Sequence, residues 1–125
     1  MSQLLCSSLS LEQLKVPVFL GVSQAERKTK QTIEINLTIW FTELPKACHT
    51  DQLEDTICYA QLIDMIKNFC LKKPFCLIEY LGYELYKFLK KTITCSHINL
   101  EIRKKPMIHG LWRSIFSLKD QEMCQ

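Results

Sequence analysis

The segment Gln31–Phe41, QTIEINLTIWF, alternates without a break. Ile33, Ile35, Leu37, Ile39 and Phe41 fall on one face; Thr32, Glu34, Asn36, Thr38 and Trp40 fall on the other. Strand side chains point to opposite faces with period two, so this pattern specifies one long strand with a buried side. Such a strand needs hydrogen-bonding neighbours for its backbone and a second layer to cover its apolar face. Those two needs govern how the rest of the chain is read.

A second strand precedes it. Leu14, Val16, Val18 and Leu20 alternate and close near Gly21, and the polar SQAERKTK makes the pair a hairpin with a longish loop. Residues 1–10 are polar and Ser-rich and read as a loose tail. After the turn-rich LPKACHTDQLEDT, two helices follow. Tyr59, Leu62, Ile63, Ile66, Phe69 and Cys70 form one apolar stripe, ended by Lys72, Lys73 and Pro74. Leu77, Ile78, Leu81, Leu85, Phe88 and Leu89 form the next, with Glu79 in the first turn. TCSHINLEIRK alternates again with Ile98, Leu100 and Ile102 inward, Pro106 and Gly110 make a turn, and LWRSIFSL gives a last strand with Trp112, Phe116 and Leu118 on one face. The order predicts an α+β domain over residues 11–119, a four-stranded antiparallel sheet with two helices on one face, and a C-terminal tail at 120–125. The sheet has two edges to dispose of, which predicts a symmetric oligomer.

Composition closes off several classes. A net charge of +3 is too mild to argue for nucleic acid or an anionic membrane. No stretch is long and apolar enough to be a membrane span. Seven cysteines could staple a small secreted domain, but the number is odd, MSQLLCSSLS lacks the features of a secretory signal, and Cys58, Cys70 and Cys76 sit among apolar positions. A reducing, cytoplasmic setting is expected. Neither Cys48–His49 nor Cys95 with His97 has a partner pair at zinc-ligand spacing, so no metal is expected. Gly21, Gly82 and Gly110 stand too far apart for a phosphate-cradling loop.

Four features could carry chemistry, and each has an ordinary explanation. Tyr59 at a helix start fits a boundary aromatic with a solvated hydroxyl. Glu79 fits a first-turn carboxylate favoured by the helix dipole, although its place beside the apolar stripe also suits bidentate recognition of paired N–H donors. Glu26, in a loop between basic residues, fits a solvated charge. In IRKKP, alternation through Leu100 and Ile102 turns Lys104 to the apolar side and Arg103 and Lys105 away. Partial desolvation of such an amine suits general acid or base work.

Together the features are more specific. GVSQAERKTKQTIEINLTI, TDQLEDTICYAQLIDMIK, PFCLIEYLGYEL and LEIRKKP, spread over roughly Leu11 to Leu118, resemble the dihydroneopterin aldolase family of the tunnelling-fold superfamily. The resemblance implies a ββααββ fold whose sheets join into an oligomeric barrel, an octamer of two stacked tetramers with active sites between subunits. It implies a lyase of folate biosynthesis that cleaves dihydroneopterin to 6-hydroxymethyl-dihydropterin and glycolaldehyde, with a side activity as an epimerase. Neither metal, cofactor nor Schiff base is implied, because the pterin ring itself can accept the electrons.

Carried onto this chain, the family's roles make Glu79 the pterin anchor, with the backbone near Ile78 also facing the ring. Tyr59, beside Ile57 and Cys58, matches an active-site tyrosine supplied across a subunit interface. Glu26 matches the glutamate after the first strand and Gln31 the glutamine opening the second. The acid/base lysine matches Lys104 by a gap-free reading; family members with the lysine directly before proline would select Lys105, which a bulge before Pro106 could swing inward. Strand alternation independently favours Lys104. The chain departs from the family at Phe19-Leu20-Gly21, where many members have Tyr-His-Gly, and after Pro106, where His109 and Trp112 replace small residues. Two other readings stay open: a dihydroneopterin triphosphate 2'-epimerase, for which Arg27, Lys28, Lys30 and Arg113 could supply cations, and a pterin-binding oligomer without catalysis.

Overall fold

A computed structural model describes residues 5–94, 96–106 and 108–120. Four strands, β1 (Ser7–Val18), β2 (Gln31–Phe41), β3 (Ser96–Lys104) and β4 (Ser114–Lys119), form one antiparallel sheet in the order β1-β2-β3-β4. A short helix, α1 (Gln24–Lys28), joins β1 to β2. Between β2 and β3 lie α2 (Ala47–Thr50), a 3-10 turn (Leu53–Asp55), and two long helices, α3 (Tyr59–Leu71) and α4 (Ile78–Thr92). The α3 helix packs over β1, and α4 packs over β3 and β4.

The layer between helices and sheet is the core. Ile33, Ile35, Leu37 and Ile39 of β2 are buried as their alternation requires, and Ile98, Leu100 and Ile102 of β3 meet them in register. The helices add Leu62, Ile66 and Cys70 from α3 and Leu81, Leu85 and Leu89 from α4. Burial pushes the Cys70 thiol up to about 12, so it serves as a small hydrophobe. Gly82 lets α4 lie close on β4: a Cβ there would stand 2.7 Å from the Phe116 ring.

Several expectations change. The first strand begins at Ser7, inside the predicted tail, with Ser7–Leu11 paired to Leu37–Phe41. A bulge between Leu11 and Leu14, with Gln13 at φ 56° and its N–H on Asn36 Oδ1, shifts the phase. Leu9 and Leu11 therefore share a face with Leu14 and Val16 although the sequence alternation breaks between them. At the other end β4 begins at Ser114, not Leu111. Trp112 lies beyond the last β3 pair, Lys104 with Ser114, and is 77% exposed. Leu77 caps α4 from outside and is half exposed instead of joining the stripe.

Asp120, assigned to the C-terminal tail, is buried; residues 121–125 lie outside the described part. Its carboxylate accepts from Tyr86 Oη, from Lys90 Nζ at 2.7 Å and from the Ile98 N–H at 3.2 Å, and pairs with His97 Nδ1 at 3.2 Å. Burial alone would push this carboxyl up, but the hydrogen bonds from Lys90, Tyr86, Ile98 and His97 hold it below the ordinary aspartate value. Burial, and then the bond to Asp120, push the Tyr86 hydroxyl up to about 12.

Candidate active site

At the end of the sheet away from Asp120, the turn after β1 is tied to the connection between the helices. Leu20 bridges Phe75; the Gly21 N–H donates to Phe75 O at 3.0 Å, and the Phe75 N–H to Phe19 O at 2.8 Å. This brings α1 beside the start of α4. Ser23 caps α1 by accepting the Glu26 N–H at 3.1 Å, and Glu26 folds back over Gly21. A Cβ on Gly21 would stand 2.1 Å from Glu26 Cβ, so only glycine permits this placement. Gln31 Nε2 donates to Leu20 O and to Glu26 O at 3.0 Å, pinning both sides of the turn.

Between these elements and the β3–β4 end lies a cavity of about 650 Å³. Glu26, Gln31, Ile78, Glu79 and Lys104 all line it. Glu79 and Ile78 occupy the first turn of α4, where backbone N–H groups have no partner within the helix and favour a negative ligand atom. Lys104 continues the inward row of β3, with its side chain 16% exposed, and its Nζ stands 3.7 Å from Glu26 Oε2. At that distance the pair attracts without a close hydrogen bond, which leaves donors and acceptors for a ligand.

Lys105 takes the other side. It is exposed and lines a separate cavity with Arg103 and Trp112. Tyr59, Ile57 and Cys58 are not at the Glu79 cavity. Tyr59 is 56% exposed beside Leu9–Lys15 of β1, Ile57 borders a depression with Phe41 and Thr94, and half-buried Cys58 precedes α3. Sequence reasoning missed Ser23, Thr29, Cys76, Pro106, Ile108 and Ser114, which add to the cavity wall. One signal was there to be read: Ser23-Gln24-Ala25-Glu26 has the spacing of a capping box, which announces α1. Cys76 and Ile108 carry no such signal, because they reach the cavity only through tertiary packing. Among the described residues no group of three His, Cys, Asp or Glu is placed to hold a metal ion. No described helix is long and apolar enough to cross a membrane.

A two-layer α+β domain with two carboxylates and an amine facing one mostly apolar cavity defines a small-molecule site. The dihydroneopterin aldolase (FolB) family model matches residues 9–115, and this chain belongs to that family. It is 35% identical over 99 residues to a probable dihydroneopterin aldolase of Chlamydia trachomatis, covering 78% of this chain and 80% of that protein. A probable dihydroneopterin aldolase of Chlamydia pneumoniae is 34% identical over 119 residues, 93% of this chain and 89% of that one. The fold matches that of the E. coli dihydroneopterin aldolase in complex with neopterin with a TM-score of 0.82 at 18% identity, covering 91% of this chain and 98% of that one.

Proposed function

We propose that this protein is a dihydroneopterin aldolase of folate biosynthesis, and that the Glu79 cavity binds the pterin. The observation that carries the reading is the gathering of Glu26, Gln31, Ile78, Glu79 and Lys104 around one cavity from four separate elements. Its volume lies within the range of small-ligand sites. A carboxylate can accept two parallel N–H bonds from the ring and its exocyclic amine, and Glu79 takes that role in this reading. Unpartnered N–H groups at the α4 start can donate to the ring carbonyl.

The reaction then needs only proton transfer. A base removes the hydroxyl proton of the side-chain carbon that leaves. The bond between that carbon and the one attached to the ring breaks, and glycolaldehyde departs. The electron pair enters the ring's C=N unit, and an acid returns a proton to the ring-attached carbon. Lys104 and Tyr59, with a water between them, are the proton carriers in this reading. Glu26 holds Lys104 by charge, and Glu79 holds the substrate, so positioning supplies much of the barrier reduction. The step as written uses neither a metal nor a Schiff base.

Tyr59 must then come from a second subunit. The β1 edge carries Tyr59 and the β4 edge carries the Lys104–Ser114 end, at opposite sides of the sheet. Pairing β1 of one copy with β4 of the next would close both edges and carry Tyr59 toward a neighbour's Glu79 cavity. We take the assembly to be a barrel of joined sheets, two tetramers stacked as an octamer. The setting is the cytoplasm, where the free thiols of Cys58, Cys70 and Cys76 stay reduced.

The test is to incubate the purified protein with dihydroneopterin and, separately, with its triphosphate. The aldolase reading predicts glycolaldehyde from the first. Inversion of the triphosphate side chain with no glycolaldehyde from either would establish the epimerase instead.

A further inference from the structure

The second face of the sheet carries a cavity that the aldolase reading does not use. It measures about 280 Å³ and is lined by five cationic side chains, Lys15, Arg103, Lys104, Lys105 and Arg113, with one carboxylate, Glu34. The strand register explains the crowding: Lys15 of β1 and Arg103 of β3 both stand opposite Glu34 of β2. Glu34 does not saturate them. Its Oε1 lies 3.8 Å from Nη1 of Arg103 and of Arg113, and its Oε2 lies 3.7 Å from Lys15 Nζ. All three distances exceed hydrogen-bond reach, and Oε1 is buried without a hydrogen-bond partner.

Arg103 is otherwise engaged through Nε to Glu101 Oε2 at 2.7 Å, and Lys104 Nζ faces Glu26 Oε2 at 3.7 Å. Lys105 has no hydrogen bond or ion pair among the described residues. The Arg113 guanidinium stands 5.4 Å from the Trp112 ring, which orients it by cation–π attraction. Like charges packed in this way repel one another, and an anion with several acceptor oxygens would relieve the repulsion. The cavity is too small for a whole drug-sized ligand but has room for a phosphate group.

We propose that this cavity is an anion subsite that takes a phosphate or short polyphosphate group between Lys15, Lys105 and Arg113. Lys104 lines both cavities, so the subsite and the Glu79 cavity share a wall. The phosphate comes either from a free anion or from the phosphorylated tail of a molecule whose ring occupies the larger cavity.

The test is calorimetric titration of the full chain with inorganic tripolyphosphate at low salt. Wild type is compared with Lys15→Ala/Arg113→Ala, with Arg113→Gln, and with Lys91→Ala/Lys119→Ala as a charge-matched control outside the cavity. The expected result is one anion per chain, affinity lowered about tenfold or more by the first pair and less by Arg113→Gln, and little change in the control. Added salt should weaken the binding. No saturable binding, or equal losses in both double variants, would overturn the subsite. Neopterin and neopterin triphosphate separate the two sources. A tail bound here makes the triphosphate the tighter ligand, and Lys15→Ala/Arg113→Ala removes that advantage. A free anion instead binds alongside neopterin. Glu79→Ala should leave tripolyphosphate binding intact, so the subsite stands or falls separately from the pterin reading.

Discussion

Carboxylates lie near both ends of the β3–β4 hairpin, and the two ends differ in what their charges touch. At one end Asp120 has four partners, Tyr86, Lys90, His97 and the Ile98 N–H, and is buried. At the other end Glu26 and Lys104 stand 3.7 Å apart, and Glu79 is exposed at the wall of an open cavity. A carboxylate whose acceptor sites are all filled by the fold fixes structure. Carboxylates and an amine held near one another with capacity to spare are available to a ligand. Substitutions at the two ends should therefore separate cleanly, one set acting on stability and the other on binding and turnover.

The largest effect is expected at Lys104. Lys104→Ala removes the proposed proton carrier and should lower turnover by about 10²–10⁴-fold, with the melting temperature little changed. Next is Glu79→Ala, which deletes the proposed bidentate pterin anchor and should weaken neopterin binding about a hundredfold in a titration. Unchanged affinity would show that Glu79 is only a first-turn carboxylate. At the opposite end Asp120→Ala leaves Tyr86 and the Ile98 N–H without their acceptor and should cost about 2 kcal/mol in urea unfolding. It should leave the affinity of the refolded protein for neopterin unaltered.

The pH dependence sharpens the same contrast. The Asp120 carboxyl is held below its unfolded value, so its contribution is complete above that value and is lost as pH falls through the folded one. Asp120→Asn should flatten the acid branch of a stability–pH curve. Tyr86 is pushed the other way, to about 12, so its neutral hydroxyl contributes fully below an ordinary tyrosine's titration near 10 and is lost as pH rises through about 12. Tyr86→Phe should have the smallest effect, about 1 kcal/mol, and should flatten the alkaline branch.

Much of this was legible before any coordinates. The alternation of QTIEINLTIWF set β2 to the residue, and the stripes of Leu62, Ile66 and Cys70 and of Leu81, Leu85 and Leu89 set α3 and α4. The same period-two argument turned Lys104 toward the cavity and Lys105 away. What was not legible depends on departures from regular period or on tertiary approach. The bulge at Leu11–Leu14 hid the first part of β1, because a one-phase reading sees Leu9 and Leu11 as out of step. Trp112 kept the parity of Phe116 and Leu118, but β3 ends at Lys104 and leaves it no partner strand. Glu26 reaches the cavity only because Gly21 has no Cβ and Gln31 ties down the turn, and neither contact has a signature in composition. Tyr59 opens α3 on the far edge from the Glu79 cavity, a separation that its place in an apolar stripe does not announce.

The central claim is that Lys104, not Lys105, faces the bound pterin and moves the proton. Single-turnover release of glycolaldehyde from dihydroneopterin, measured for Lys104→Ala and Lys105→Ala side by side, tests it directly. The structure predicts a loss of about a hundredfold or more for Lys104→Ala and a rate near wild type for Lys105→Ala. The reverse order, or equal and small losses, would contradict it.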